Sequence, residues 1–95
     1  MTARGPRASA TVEIINRLGL HARAARLLVE AVRGFDAEVT IRRDEQTVNA
    51  KSILEIMMLA AGPGTALEVV AVGPDADDAV AAIRALVEQR FNEAE

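Results

Sequence analysis

Hydrophobic and polar residues alternate with two different periods along the chain, and each change of period marks the boundary of a predicted element. Strict alternation, as in Val12-Glu13-Ile14, is typical of a strand with one buried face. The chain has four segments of strand character, and they lie at residues 10–16, 38–43, 46–50 and 67–72. The second and third are separated only by Asp44 and Glu45, so they form a predicted hairpin.

Three further segments have the helical period. The first begins at Ala22 and ends before Gly34, and its apolar stripe consists of Ala25, Leu28, Val29 and Val32. A short helix extends from Ser52 to about Leu59, where Ser52 and Glu55 form a predicted capping box. The third helix is capped by Asp75 and ends near Arg90, with a core stripe of Val80, Ile83, Leu86 and Val87.

The resulting element order is β-α-β-β-α-β-α, which is typical of an α+β domain with two layers. The strand at 67–72 is apolar on both faces, so it is expected in the interior of a mainly antiparallel sheet. Helices cover one face of that sheet, and water covers the other. Residues 1–9 are interpreted as a flexible tail, and residues 10–95 as one domain.

Composition excludes several classes of function. The 95 residues include no Cys and a single His, so neither a disulfide framework nor a zinc finger is expected, and no metal site is predicted. A net charge of −3 and 2% aromatic residues argue against nucleic-acid binding. No segment approaches the about 18 apolar residues of a membrane span, and no secretory signal is recognisable. We therefore expect a cytoplasmic protein that does not insert into membranes.

The only histidine, His21, stands where a turn becomes a helix. A helix N-terminus attracts anions, and Arg17 and Arg23 lie close in sequence. A neutral imidazole at such a place can carry a phosphoryl group. Three alternatives remain open at this point: His21 as an ordinary polar residue at a helix start, a small hydrolase with His21 as base, and a non-catalytic α/β regulatory binding module.

Two motifs add a resemblance to a known family. Residues 16–23, NRLGLHAR, resemble the active-site signature of HPr, the histidine-containing phosphocarrier of the bacterial phosphoenolpyruvate-dependent phosphotransferase system. Residues 49–54, NAKSIL, resemble its second signature, which surrounds a regulatory serine. The resemblance covers about residues 10–92. It implies an HPr-like open-faced β-sandwich with sheet order 1-4-2-3 and three helices on one face.

The same resemblance implies the chemistry. His21 takes a phosphoryl group on Nδ1 from phosphorylated enzyme I and passes it to an acceptor of the enzyme IIA type, while Arg23 stabilises that group. The loop residues expected around it are Arg17, Gly19, Ala22 and Ala24. Such a protein is a monomeric carrier without a cofactor rather than an enzyme. Ala24 departs from the family, which usually has Pro there, although a first helical turn accepts either residue.

The second motif implies regulation and docking. Ser52 corresponds to the serine that HPr kinase/phosphorylase modifies in some bacteria, and it is also the predicted helix cap. The residues expected to dock enzyme I and enzyme IIA are Leu20, Lys51, Ile53, Leu54 and Met57, whereas Ile56 and Leu59 are expected in the core. Both branches of the family stay open: one serves sugar uptake and the other serves nitrogen-type regulation. The segment 34–39 resembles members of the nitrogen-type branch.

Overall fold

Four strands and three helices make up residues 5–93, the part of the chain that this computed structural model describes. In chain order they are β1 (Arg7–Glu13), α1 (Ala22–Val32), β2 (Glu38–Arg43), β3 (Gln46–Asn49), α2 (Ile53–Met58), β4 (Ala66–Val72) and α3 (Ala76–Glu88). A short turn at Arg90–Asn92 follows. Every predicted element is present, and they follow the predicted order.

The strands form one antiparallel sheet in the order β1-β4-β2-β3. This confirms the predicted interior position of the strand at 67–72, because β4 pairs with β1 on one side and β2 on the other. Leu67, Val69 and Ala71 of β4 are buried, while the residues between them are partly exposed. The sheet is therefore an open one, with helices over one face only.

The helices cover the sheet through the predicted stripes. All four residues of the α1 stripe are buried, and Val80, Ile83 and Val87 of α3 are buried as well. Leu86 differs from the prediction, since it is only partly buried and packs at the margin of the core. Ile56 and Leu59 bury the inner side of α2, as expected.

The first strand begins earlier and ends earlier than predicted. Residues 7–9, assigned to the flexible tail, pair with β4, where Ala8 faces Ala71 and Ser9 faces Val70. Residues 1–4 of the predicted tail lie outside the described residues. The predicted strand also included residues 14–16, but the ladder ends at Glu13. Beyond it, Ile14 exchanges backbone hydrogen bonds with Gly64 and Thr65.

Two helix ends differ from their predictions. The Asp75 side chain does not cap α3; it accepts a hydrogen bond of 2.7 Å from the Asp36 amide and so joins two loops. The C-cap of α1 is Arg33 in ordinary helical geometry, and Gly34 has no positive φ, so the helix ends there without a left-handed residue.

The helices α1 and α2 run in opposite directions. The Leu20 amide, just before α1, donates a hydrogen bond of 2.8 Å to the Ala61 carbonyl, just after α2. At the other end, the Lys51 ammonium donates one of 3.0 Å to the Phe35 carbonyl beyond α1. The C-terminus of α2 therefore lies beside the histidine loop, and its N-terminus, which Ser52 caps, is directed toward the other end of α1.

Replacing Gly19 by alanine should destabilise the histidine loop. Gly19 has a φ of +70°, and an added Cβ would lie 2.7 Å from the Ala61 carbonyl oxygen. The left-handed backbone alone costs an alanine about 1–2 kcal/mol, and the contact adds to it. Gly62→Ala is the matched control, because nothing lies within 4 Å of its added Cβ. Chemical denaturation checks the prediction, and equal losses in both variants would contradict it.

Candidate functional site around the lone histidine

His21 is the residue immediately before the first turn of α1. It is the N-cap, with φ −80° and ψ −177°, and its side chain makes no capping hydrogen bond. The first helical amides have no acceptor within the helix and give that end a partial positive charge. The imidazole is 30% exposed. The imidazole thus lies at a site suited to anions, and it is exposed enough to contact another molecule.

One carboxylate oxygen holds the imidazole from behind. Oε2 of Glu93 lies 2.8 Å from Nε2 of His21, and the Glu93 side chain is only 9% exposed. The same oxygen accepts a hydrogen bond of 2.8 Å from Nδ2 of Asn16. Asn16 is fully buried and also donates to the Gly19 carbonyl at 2.8 Å. The loop, the imidazole and the end of the chain therefore share one network.

The charge state of Glu93 determines which ring nitrogen of His21 carries the hydrogen. Desolvation raises the pKa of Glu93. Hydrogen bonds from His21, Asn16 and the Leu18 backbone, together with the charge attraction of His21, lower the pKa by more than desolvation raises it. The pKa of Glu93 therefore lies below its ordinary value of 4.5. The carboxylate is ionised near neutral pH and can only accept. We therefore assign the hydrogen to Nε2, which leaves the lone pair of a neutral ring on Nδ1.

A left-handed turn presents Glu93 to the site. Three consecutive residues, Arg90, Phe91 and Asn92, have φ of +56°, +52° and +62°. Each such residue costs about 1–2 kcal/mol, so the surrounding contacts must hold the turn in place. Phe91 provides the anchor, because its side chain is fully buried in the core. Arg90 was expected to end α3, but the helix ends at Glu88 and Arg90 opens this turn.

Arg23 contacts the same turn. Its Nη1 donates a hydrogen bond of 3.2 Å to the Phe91 carbonyl, and the rest of the side chain is exposed. The C-terminal turn therefore contacts the Arg23 guanidinium through Phe91, and the residue that follows the turn, Glu93, contacts the imidazole of His21. Together with the helix N-terminus, His21 and Arg23 can hold and charge-balance an anionic group.

The other predicted loop residues take different positions. Arg17 and Ala22 are exposed, whereas Gly19 and Ala24 are buried. Ala24 packs into the core within the first turn of α1, so its methyl group has a structural role. Leu20 corrects a docking prediction: it is only 5% exposed, because the loop turns its side chain inward.

The predicted serine and docking residues lie on or beside α2. Ser52 Oγ accepts a hydrogen bond of 3.3 Å from the Glu55 amide, which confirms the cap. The Glu55 carboxylate accepts from the Asn49 amide instead of the Ser52 amide, so only half of the capping box forms. Lys51 has its ammonium bonded to a backbone carbonyl, away from His21.

The outward side of α2 is apolar. Leu54 is 77% exposed, Met57 42% and Met58 65%, and we call these three residues the α2 face. Ile53 is only partly buried and packs against the core. A face of this kind on a small domain indicates a surface for a partner.

Sequence reasoning missed the roles of Glu93, Asn16 and Phe91. Asn16 was noted only as part of a motif. Glu93 lies 72 residues from His21 and follows the last helix, where no periodic pattern extends. Its only signal was an acid and a lone Phe close to the C-terminal end of α3.

Neither a metal site nor a membrane span is found within residues 5–93. No three residues of the types His, Cys, Asp and Glu come together there in a way that would hold an ion. None of the helices has the length and apolar character that crossing a membrane requires.

Comparison with known proteins gives a consistent set of relatives. Residues 8–89 match the family model described as the PTS HPr component phosphorylation site. The chain is 47% identical over 83 residues to the phosphocarrier protein HPr of Treponema pallidum (strain Nichols), covering 87% of this chain and 94% of that one. It is 48% identical over 84 residues to the phosphocarrier protein NPr of Escherichia coli (strain K12), covering 87% and 93%.

A solved structure shows the same fold. The crystal structure of HPr-C-His from Thermoanaerobacter tengcongensis superposes with a TM-score of 0.88 at 38% sequence identity. The match covers 93% of this chain and 99% of that one.

Glu93→Gln should change the pH dependence of folding. A carboxyl whose pKa is lower in the folded protein stabilises it above the unfolded pKa, and that contribution is lost as pH falls through the lowered pKa. Below about pH 4.5, the wild-type unfolding free energy should therefore fall more steeply than that of Glu93→Gln. Denaturation midpoints across acidic pH measure this difference.

Glu88→Gln removes an exposed carboxylate from the end of α3 and serves as the matched control. It should follow the wild-type pH profile. If Glu93→Gln also follows that profile, the assigned network does not contribute to acid stability.

Proposed function

The chain belongs to the HPr family of phosphocarrier proteins of the phosphotransferase system, and from this premise we propose that His21 accepts a phosphoryl group from phosphorylated enzyme I and delivers it to an enzyme IIA-type protein. The single observation that carries the proposal is the Glu93–His21 contact. It keeps the hydrogen on Nε2 and leaves the nucleophilic lone pair on Nδ1, at a helix N-terminus. Such a relay takes place in the cytoplasm, where phosphoenolpyruvate supplies the group.

The proposed step is an in-line transfer. The Nδ1 lone pair forms the new N–P bond as the bond between phosphorus and the donor breaks, and the bonding electrons return to the donor. The imidazole keeps its Nε2 hydrogen and gains positive charge, which the Glu93 carboxylate stabilises at 2.8 Å. Transfer to the acceptor reverses these changes, so the carrier returns to its starting state.

Arg23 is the proposed group that balances the phosphoryl charge. Its hydrogen bond to the Phe91 carbonyl, an uncharged acceptor, is 3.2 Å long. Hydrogen bonds from a guanidinium to a phosphoryl oxygen are shorter and about twice as strong, so the side chain is expected to exchange one acceptor for the other. The first amides of α1 complete the anion site.

The α2 face is the proposed docking surface for enzyme I and the acceptor, since it is apolar and belongs to the helix whose C-terminal end adjoins the histidine loop. Enzyme I and the acceptor use it in turn, so each complex must be short-lived. Leu20 does not belong to this surface, because it is buried. The acceptor is defined by its class only: the chain resembles both HPr and NPr relatives closely.

Ser52 is the proposed site of a second phosphorylation, by an ATP-dependent kinase of the HPr kinase/phosphorylase type. A phosphate at the start of α2 gains from the helix amides, so the helix can retain its form. The added charge lies at the N-terminal end of the helix that bears the α2 face. It therefore disfavours acidic partners there.

Incubation with phosphoenolpyruvate and enzyme I tests the proposed carrier function. The wild-type protein should gain one acid-labile phosphoryl group by intact mass, and His21→Ala should gain none. Arg23→Ala should slow the transfer about 10-fold or more, because a charge-assisted contact is lost. Arg26→Ala is the matched control on the same helix, and its rate should stay within about twofold. An unlabelled wild-type protein would exclude the proposal.

Ser52→Ala separates the cap from the regulatory role. Loss of the cap should lower the unfolding free energy by about 1 kcal/mol, while transfer from enzyme I should remain within about twofold. With ATP and the kinase, the wild-type protein should gain an acid-stable phosphoryl group that the variant lacks. Acid-stable label on the variant would place the modification elsewhere.

A further inference from the structure

Within residues 5–93, all oxidisable sulfur lies on one exposed surface. The chain contains no Cys and three Met, of which Met57 and Met58 belong to the α2 face. The third, Met1, lies outside the described residues. A thioether reacts with peroxides without first losing a proton, so exposure largely determines its susceptibility. Both sulfur atoms of this face belong to side chains that solvent reaches.

Several interactions that do not involve those two side chains hold α2 in place. Ile56 and Leu59, both essentially fully buried, hold the helix against the core. Ser52 caps its first turn, and the Arg43 guanidinium donates to the carbonyls of Leu59 and Ala60 at 2.7 and 2.8 Å. A chemical change at the outward methionines therefore leaves the interactions that hold α2 intact.

We propose that Met57 and Met58 form a reversible oxidation site that controls docking of the phosphorelay partners. Hydrogen peroxide, the oxidant class concerned, transfers one oxygen atom to each sulfur. A new S–O bond forms, the O–O bond breaks, sulfur loses two electrons, and water leaves. Reduction by a methionine sulfoxide reductase consumes two thiol groups and returns the thioether, water and a disulfide.

The inference rests on the proposed function, because it acts through the surface proposed for docking. A sulfoxide is polar and accepts hydrogen bonds, so its burial against an apolar partner surface is unfavourable. Two sulfoxides change two of the three exposed side chains of the α2 face and leave only Leu54 apolar. The imidazole of His21 is not altered by peroxide, so the phosphoryl chemistry itself is preserved.

The test compares transfer from phosphorylated enzyme I to untreated and peroxide-treated protein. Mass spectrometry of peptides should find one added oxygen atom on each of the two methionines. The transfer rate should then fall about tenfold, the scale expected for burying a polar group without a partner. Treatment with sulfoxide reductases and a thiol should restore the untreated rate.

Met57→Leu/Met58→Leu is the matched variant, because leucine keeps the face apolar at nearly the same volume. Its transfer rate should be insensitive to peroxide even though Met1 is retained. The hydrolysis rate of the phosphohistidine, which requires no docking, should be the same before and after oxidation in the wild-type protein. The thermal unfolding midpoint should also change little.

Several results would overturn the inference. These are an unchanged transfer rate when both sulfoxides are present, the same slowing in the leucine variant, an altered hydrolysis rate, and unfolding on oxidation. Failure of the proposed function is a separate result: the untreated protein would then accept no phosphoryl group from enzyme I, and the inference would fall with it.

Discussion

Two hydrogen bonds to a single oxygen atom, Oε2 of Glu93, hold the site together. One comes from Asn16 in the histidine loop and one from His21, across 77 and 72 residues of chain. The tautomer of the imidazole depends on this contact, as does the position of the turn whose carbonyl holds Arg23. The arrangement is costly, because the turn is left-handed and Oδ1 of Asn16 is buried without a hydrogen-bond partner in the described part of the chain. A buried acceptor of that kind costs about 1–3 kcal/mol, so the site retains a strained and polar arrangement that packing alone would not select.

The regular part of the fold is encoded locally and could be predicted. The period-two pattern around Ile41 and the helical stripe around Leu28 depend only on which side chains face the core, and β4, which lies between two strands, has apolar residues on both faces apart from Glu68. The boundaries were less accurate where pairing decides them. Ala8 and Ser9 carry no strong strand signal, yet they extend β1 because β4 is long enough to pair with them.

The site was predictable only in part, and the reason differs by residue. His21 and Arg23 lie in a short segment with a recognisable chemistry, so the sequence alone predicted them as site residues, and the structure brings both to the C-terminal turn. Glu93 acts from the far end of the described chain, and nothing local indicates that a left-handed turn directs it back to α1. Leu20 shows the opposite error: its neighbours are predicted site residues, but the backbone bond from its amide to Ala61 fixes a loop in which its side chain is buried.

The antiparallel arrangement of α1 and α2 has a consequence for the positions of His21 and Ser52. The C-terminal end of α2 adjoins the histidine loop and Ser52 caps its other end, so roughly the length of this six-residue helix separates Ser52 from that loop, on the order of 9 Å. Mobile ions screen charges beyond about 8 Å at physiological ionic strength. The interaction between phosphoryl groups at the two positions would therefore be weakened by screening across the solvent. Antagonism between the two proposed modifications would then depend largely on a partner broad enough to contact both positions, so the size of that partner's footprint, more than the carrier itself, would compare the two signals.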